Sequence, residues 1–534
     1  MRARPGRLST AGLAALILAG CGLAWPIAPG TSAGGGRPGA PGAAPGTTTP
    51  VAGLATATAT ASPLAGPASP ISHPPGLEPA TCDPQAPRGA RCSTLWVPLD
   101  YSNPNRGTIP TTVLVMPALD RAERIGSLLV NPGGPGESGV QFVEEAYSIL
   151  EPLNQRFDIV GFDPRGTTGS AAVSCETTQG LDHDLGVDPD ALGSPPREAD
   201  LVATSLAFAD ACELHDGWLL PYVGTADAAR DMDALRAGLG DAKLDYLGFS
   251  YGTALGAEYA SLFPTRIRAM VLDGDLDPSI SFAEESIQQG ASFEASYQRF
   301  ISQCAAKSGC PLGANPDAAV SSLLTSLAAQ PVQLPDGRTV GRGLALTALA
   351  AAMYDPTSWS LFYTAFAQAV AGDVTALVAA ADQLEGRGPN GYDHSMEANA
   401  AINCADHAVP ESLSSYDQMA SSIEAAQPRF GQSEVYSLLT CAYWPVRGAQ
   451  PAPLHVTSAP HILLVGATHD PATPYAWSQS LEKQLSGSVL LTRDGYGHTS
   501  YLFSACVRSA VNAYLTGLTL PAAGTVCPTD SPAA

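Results

Sequence analysis

Basic side chains are scarce in this sequence. Lys and Arg number 27 against 50 Asp and Glu, a formal net charge of −23. A surface so poor in cations cannot neutralise a phosphate backbone, which excludes nucleic acid as a partner. Charge of either sign is sparse, at 14% of residues, while apolar residues make up 45%. A chain of 534 residues with that balance has enough apolar material for one large domain carrying an insertion, or for two domains. Metal-binding spacings are also missing: there is no Cys-x-x-Cys and no His-Glu-x-x-His. The 11 cysteines therefore do not form a zinc framework, and their number points to an oxidising compartment. No internal repeat is present.

The N-terminus carries Arg2, Arg4 and Arg7, followed by an apolar run over 11–19 that is too short to cross a bilayer. Leu18-Ala19-Gly20-Cys21 then resembles a bacterial lipobox, in which the cysteine thiol receives a diacylglycerol and becomes the mature N-terminus. Residues 1–20 are read as a lipoprotein signal peptide and Cys21 as the lipidation site. The protein is thus expected to be secreted and anchored to the cell membrane. Removing Cys21 leaves an even number of cysteines, suited to disulfides. Residues 21–80 are rich in Pro, Gly, Ala and Thr and cannot bury enough surface to offset their ordering entropy, so they are read as a disordered tether.

The folded body is expected to begin near Cys82. Strand-like runs fall at 94–99, 111–116, 127–131 and 157–162, with a helix near 140–150 between the last two. A helix over 227–239 has Thr225 as its expected N-cap, and a strand over 244–247, a helix to 262 and a strand over 269–273 follow. Early strands able to form hairpins, then β–α alternation, argue for an α/β fold with a mostly parallel sheet covered on both faces. Alternation stops after Pro278. Residues 279–455 are helix-rich, and alternation resumes with strands at 462–465 and 489–492 and helices at 475–485 and 501–515. The arrangement expected is one α/β domain, 81–278 and 456–534, interrupted by a helical cap.

Gly248-Phe249-Ser250-Tyr251-Gly252 sits between the strand at 244–247 and the helix that follows it. In that setting a G-x-S-x-G serine is presented as a nucleophile at the top of a sheet. A serine hydroxyl needs an imidazole to take its proton and a carboxylate to fix the imidazole tautomer. Asp470 follows the apolar run at 462–465, and His498 lies just beyond the run at 489–492. That gives the chain order Ser, Asp, His of an α/β-hydrolase, with each residue after a strand. Asp494 is the alternative acid and His469 the weaker base candidate. A developing oxyanion needs donors. One is expected from the backbone N–H of Tyr251 and the other from Asn131-Pro132-Gly133-Gly134-Pro135-Gly136, with Gly134 the first choice. No metal or organic cofactor is required by this chemistry.

These motifs, together with Gly161-Phe162-Asp163-Pro164-Arg165-Gly166, Thr225-Ala226-Asp227-Ala228-Ala229-Arg230-Asp231, Asp470-Pro471-Ala472-Thr473-Pro474 and Gly497-His498-Thr499-Ser500-Tyr501, resemble those of secreted actinobacterial tripeptidyl aminopeptidases. That family belongs with the proline-iminopeptidase-like α/β-hydrolases, and the likeness covers about residues 80 to 530. It implies a serine exopeptidase releasing short peptides from free N-termini, with a helical cap over the site. Glu137 departs from the family's small residue at that position and would add negative charge near the site. Related iminopeptidases hold the substrate amine with acids from the cap, which makes Asp406, and also Glu397, candidates for substrate binding. Asp163-Pro164-Arg165 is read as a structural loop with an internal Arg–Asp contact. From proximity, the cysteines are expected to pair 82/92, 175/212, 304/310, 404/441 and 506/527. The alternative activity is that of a carboxylesterase or lipase, since the same machinery hydrolyses esters. A non-catalytic peptide-binding lipoprotein is disfavoured by the complete set of triad residues.

Overall fold

The computed structural model describes residues 70–84 and 86–529. The signal peptide, Cys21 and most of the tether lie outside the described residues. Ten strands form one sheet: β1 (Gly76–Ala80), β2 (Arg91–Pro98), β3 (Thr108–Met116), β4 (Gly126–Asn131), β5 (Phe157–Phe162), β6 (Leu244–Phe249), β7 (Ile267–Asp273), β8 (Leu463–His469), β9 (Val489–Tyr496) and β10 (Val526–Cys527). Their order is β1-β2-β3-β5-β4-β6-β7-β8-β9-β10. The first three strands and the β3–β5 pair run antiparallel, and every pairing from β5 onward is parallel.

The central strands β4 and β6 are buried along their whole length, as strands covered on both faces must be. Alternate side chains serve opposite faces. Tyr246, Met270, Leu272 and Leu464 pack on one side with helices Thr225–Gly238 and Tyr251–Leu262. Leu247, Val271, Leu463 and Val465 pack on the other with helices Gly139–Asn154 and Ala505–Gly517. The α/β-hydrolase architecture expected from the alternation is therefore present.

Three expectations are corrected. The folded body starts before Cys82, because β1 lies at 76–80 and pairs with β2 along its full length, so the tether cannot extend to residue 80. The cap is broader than 279–455. Helices Thr178–Asp184 and Pro195–Asp216 and the connection between them, which leave the sheet between β5 and β6, are joined to it by Arg387 on Asp182, by Arg342 on Asp188 and by Phe208 beside Trp444. The Arg–Asp contact is not internal to 163–165. Buried Arg165 forms a two-pronged pair with Asp231 at 2.7 Å on each prong and donates to the carbonyls of Pro98, Leu99 and Tyr222. Asp163 instead accepts from Ser138 Oγ and the amides of Val140 and Gly169.

The cap has its own core, in which Phe293, Tyr297, Phe300, Leu349, Met353, Tyr363 and Phe366 are buried together. Among the described residues, five disulfides join Cys82–Cys92, Cys175–Cys212, Cys304–Cys310, Cys404–Cys441 and Cys506–Cys527. These are the pairs expected from proximity, and they fit an extracytoplasmic protein. Among the described residues no helix is long and apolar enough to cross a membrane.

Candidate active site

Ser250 is the last residue before helix Tyr251–Leu262 and has φ 53° and ψ −125°. A non-glycine side chain in that conformation is strained, and the surroundings hold it there. Its amide donates to Asp273 O at 3.0 Å, and its carbonyl accepts from Thr253 N at 2.8 Å and from Thr253 Oγ1. Thr253 Oγ1 in turn accepts from Leu276 N. The turn is thus tied to its own helix and to the end of the neighbouring strand β7.

Asp470 and His498 follow β8 and β9. His498 Nδ1 lies 2.8 Å from Asp470 Oδ1. The same oxygen accepts from the amides of Ala472 and Thr473, and Oδ2 accepts from Thr499 N. A carboxylate only accepts, so Nδ1 carries the proton, and in the neutral ring Nε2 is left as the basic atom. Nε2 is buried and makes no hydrogen bond. A Cβ placed on Gly274 would lie 3.3 Å from His498 Cε1. Ser250 donates its amide to the residue before that glycine, so the serine and the imidazole flank the same corner of the chain.

The loop after β4 packs directly on the serine turn. A Cβ on Gly133 would approach Phe249 O to 2.6 Å and Ser250 Cβ to 2.9 Å, and its φ of 111° suits glycine alone. Gly133 N donates to Asn131 Oδ1. Gly134, next along, is solvent-accessible. Tyr251 N is the first amide of its helix, one of the donors that a helix leaves without an intrahelical acceptor.

Two groups absent from the sequence reading complete the assembly. Fully buried Asp273 accepts on Oδ2 from Ser500 N at 3.0 Å and Tyr501 N at 2.7 Å, and burial pushes its pKa up to about 6 despite those amides. Arg493 donates to the carbonyls of Tyr496 and Gly497. Together they hold the chain on both sides of His498. Tyr354, from the cap, accepts from His498 N at 2.9 Å and meets the imidazole edge-on at 5.3 Å.

The other candidates separate clearly. Asp494 bonds Thr468 Oγ1, and exposed His469 stacks on Tyr496, so neither joins the His498–Asp470 pair. Glu397 is buried, accepts from the amides of Cys175 and Glu176 and pairs with His394. Asp406 is a correction. Both its oxygens accept from Thr225 N, and Oδ2 also accepts from Thr225 Oγ1, so its carboxylate is occupied within the protein. Thr225 is accordingly the first helical residue and not the N-cap, which is Gly224.

Glu137 remains open. It is solvent-accessible, yet protein encloses it closely enough that burial, with the carboxylates of Asp393, Glu145 and Glu385, pushes its pKa up to about 7. It sits beside Gly134, whose added Cβ would lie 3.1 Å from Glu137 Cγ. Burial raises Glu385 and Glu434 to about 7 as well. Tyr354 feels the charges of Glu434, Asp470, Glu385 and Glu137, which places these acids around the tyrosine that meets His498 edge-on. A separate surface cavity of about 560 Å³, lined by Asp182, Asp188, Arg197 and Arg338 among others, includes none of these residues.

A mostly parallel sheet with a strained serine at one strand end, and an Asp–His pair at the ends of two later strands, defines the class: an α/β-hydrolase of the serine type. Comparison with known proteins narrows it. Residues 427–527 match the TAP-like protein family. The chain is 37% identical over 463 residues to the serine protease Hip1 of Mycobacterium tuberculosis, covering 83% of this chain and 88% of that protein. It is 32% identical over 454 residues to the tripeptidyl aminopeptidase of Streptomyces lividans, covering 82% and 83%. Carboxylesterase B of Mycobacterium tuberculosis is 36% identical over 456 residues, covering 82% and 86%. The chain belongs to this tripeptidyl-aminopeptidase-like family of α/β-hydrolases, and it is a serine hydrolase.

Proposed function

We propose that this protein is an extracytoplasmic serine aminopeptidase that releases short peptides, tripeptides foremost, from free N-termini through an acyl-enzyme. Ser250 Oγ attacks the scissile carbonyl carbon while His498 Nε2 takes its proton, and Asp470 holds the resulting imidazolium. The amides of Gly134 and Tyr251 donate to the oxyanion. Collapse of the tetrahedral intermediate passes the proton from His498 to the leaving amine. Water, deprotonated by the same imidazole, then cleaves the ester to free the acid and the serine. The reading rests chiefly on the 2.8 Å bond from His498 Nδ1 to Asp470, which leaves Nε2 buried and basic beside the serine turn.

The substrate ammonium is assigned to Glu137, with Glu385 and Asp393 beside it. An enclosed carboxylate with a pKa near 7 and no cation among the groups that shift it gains most from a bound positive charge. Cys21 is assigned as the lipidated N-terminus. Its replacement by Ala should abolish incorporation of labelled fatty acid, and retained label would remove the anchor from this account.

A fluorophosphonate probe should label the wild-type protein and not Ser250→Ala. Turnover should favour tripeptide anilides with a free amine over their N-acetylated forms and over short acyl esters. Glu137→Gln should raise KM for the free-amine substrate alone. Carboxylesterase B is the relative that favours an ester reading; a preference for esters or acetylated peptides would adopt that reading and discard the aminopeptidase.

A further inference from the structure

The two amides assigned to the oxyanion arrive on separate segments, and one cap helix bonds the glycine loop directly and reaches Tyr251 through Thr225. Helix Ser395–Asp406 is twelve residues long, about 18 Å at the α-helical rise. Near its start, Asn399 Nδ2 donates to Pro135 O at 3.0 Å. Asn403 Nδ2, one turn on, donates to Asn399 Oδ1 at 2.9 Å, which fixes the orientation of the Asn399 amide. The glycine loop approaches so closely that a Cβ on Gly136 would lie 3.0 Å from Asn399 N and collide with Ser395 O.

At the other end of the helix, Asp406 accepts from Thr225 N at 3.0 and 3.1 Å and from Thr225 Oγ1. Thr225 Oγ1 also lies 2.6 Å from Tyr251 OH. Ionised Asp406 only accepts, so the single hydroxyl proton of Thr225 points to it and Tyr251 must be the donor to Thr225. The order Tyr251→Thr225→Asp406 is therefore fixed, and it begins at Tyr251, the residue whose backbone N–H is assigned to the oxyanion. Cys404–Cys441 and a bond from Ala449 N to Asp406 O anchor this end of the helix to the rest of the cap.

We propose that helix Ser395–Asp406 is a brace that sets the oxyanion hole from both sides, with Asn399, Asp406 and Thr225 as positioning residues; this rests on the triad and oxyanion reading above. The cap is then part of the catalytic geometry as well as a cover over the site. Donors at an oxyanion act on the transition state, so loosening them lowers kcat and leaves KM nearly fixed.

The test uses Asn399→Ala, Asn403→Ala and Thr225→Val, with Thr225→Ser as the conservative rescue. Kinetics are normalised to titrated active sites, so unfolded protein does not enter. Each of the first three should lower kcat on a tripeptide anilide by roughly ten- to a hundredfold, the scale of losing one oxyanion donor or somewhat less, with KM within about threefold. Phosphonylation of Ser250 by a small fluorophosphonate, which lacks the peptide's contacts, should slow in parallel. Thr225→Ser should retain the wild-type rate, and Tyr251→Phe combined with Thr225→Val should cost no more than Thr225→Val alone, since both break one chain of bonds. An unchanged kcat in Asn399→Ala and Thr225→Val, or a rise in KM alone, overturns the brace. Labelling that survives in Ser250→Ala would instead overturn the parent reading, so the two failures are distinguishable.

Discussion

Asp273 shows how much of this site depends on a residue that performs no chemistry. Its carbonyl receives the amide of Ser250, and its carboxylate receives the amides of Ser500 and Tyr501, so one residue on β7 holds the serine turn by its backbone and the histidine loop by its side chain. Replacing it with Ala would orphan two buried amides, each worth roughly 1–3 kcal/mol when left unpaired. Asp273→Asn keeps an oxygen to accept them and removes a buried charge. We therefore expect Asp273→Ala to lower both the thermal midpoint and kcat and Asp273→Asn to remain close to wild type in stability. Calorimetry and active-site titration of the two variants check this. Equal losses in both would show that the charge, through nearby Arg493, matters more than the hydrogen bonds. The placement of Ser250, Asp470 and His498 just after strands was legible in the sequence because the strands themselves were. Asp273 occupies the same kind of position, but its motif carries no signature, and only its contacts reveal it.

At the scale of elements, the strands that support the site were legible from their apolar residues. Runs such as 127–131 and 157–162 are built on consecutive apolar residues, Leu128 to Val130 and Ile159 to Val160, as suits strands covered on both faces, and the observed β4 and β5 differ from them by a residue or less. β1 escaped because Gly-Leu-Glu-Pro-Ala is a mostly exposed edge strand with no apolar alternation. Helix Pro195–Asp216 buries only a few of its residues, mostly small or polar, and so offers little periodicity to read. The roles of Asp406 and Glu397 were out of reach for another reason. Their partners lie 181 and 222 residues away in sequence, and sequence alone does not say which side of a cap helix faces the recess and which faces the core. Both acids were candidates to bind substrate, and both turned out to be spent on backbone amides. Glu137, set apart only as a departure from the family pattern, is the acid left open. Its neighbour Gly134 fixes its place, since the loop that brings one to the site brings the other.

At the scale of the whole molecule, the excess of acid over base becomes a statement about stability. Glu137, Glu385 and Glu434 are held up to about 7 and Glu285 to about 8 by burial, from an ordinary 4.5. A carboxyl whose pKa is raised by folding binds its proton more tightly in the folded state. Stability is therefore greatest below the unfolded value and is lost as pH rises through the folded one. The window for these four groups runs from the ordinary carboxylate range to about pH 8. The formal charge of −23 acts in the same direction, because self-repulsion grows as each acid ionises. His407 opposes the trend, its pKa pushed down to about 4 by burial, but only as pH falls from the ordinary histidine range toward that value. The thermal midpoint should consequently be higher near about pH 5 than near about pH 8. A tripeptide with a free ammonium should narrow the gap by restoring the high-pH midpoint, because it supplies the cation that the ionised recess lacks. The N-acetylated tripeptide should not. A midpoint that is flat across this range, or that rises toward pH 8, would mean that the recess acids are compensated in the free protein, and would remove the physical ground for assigning the substrate amine to Glu137.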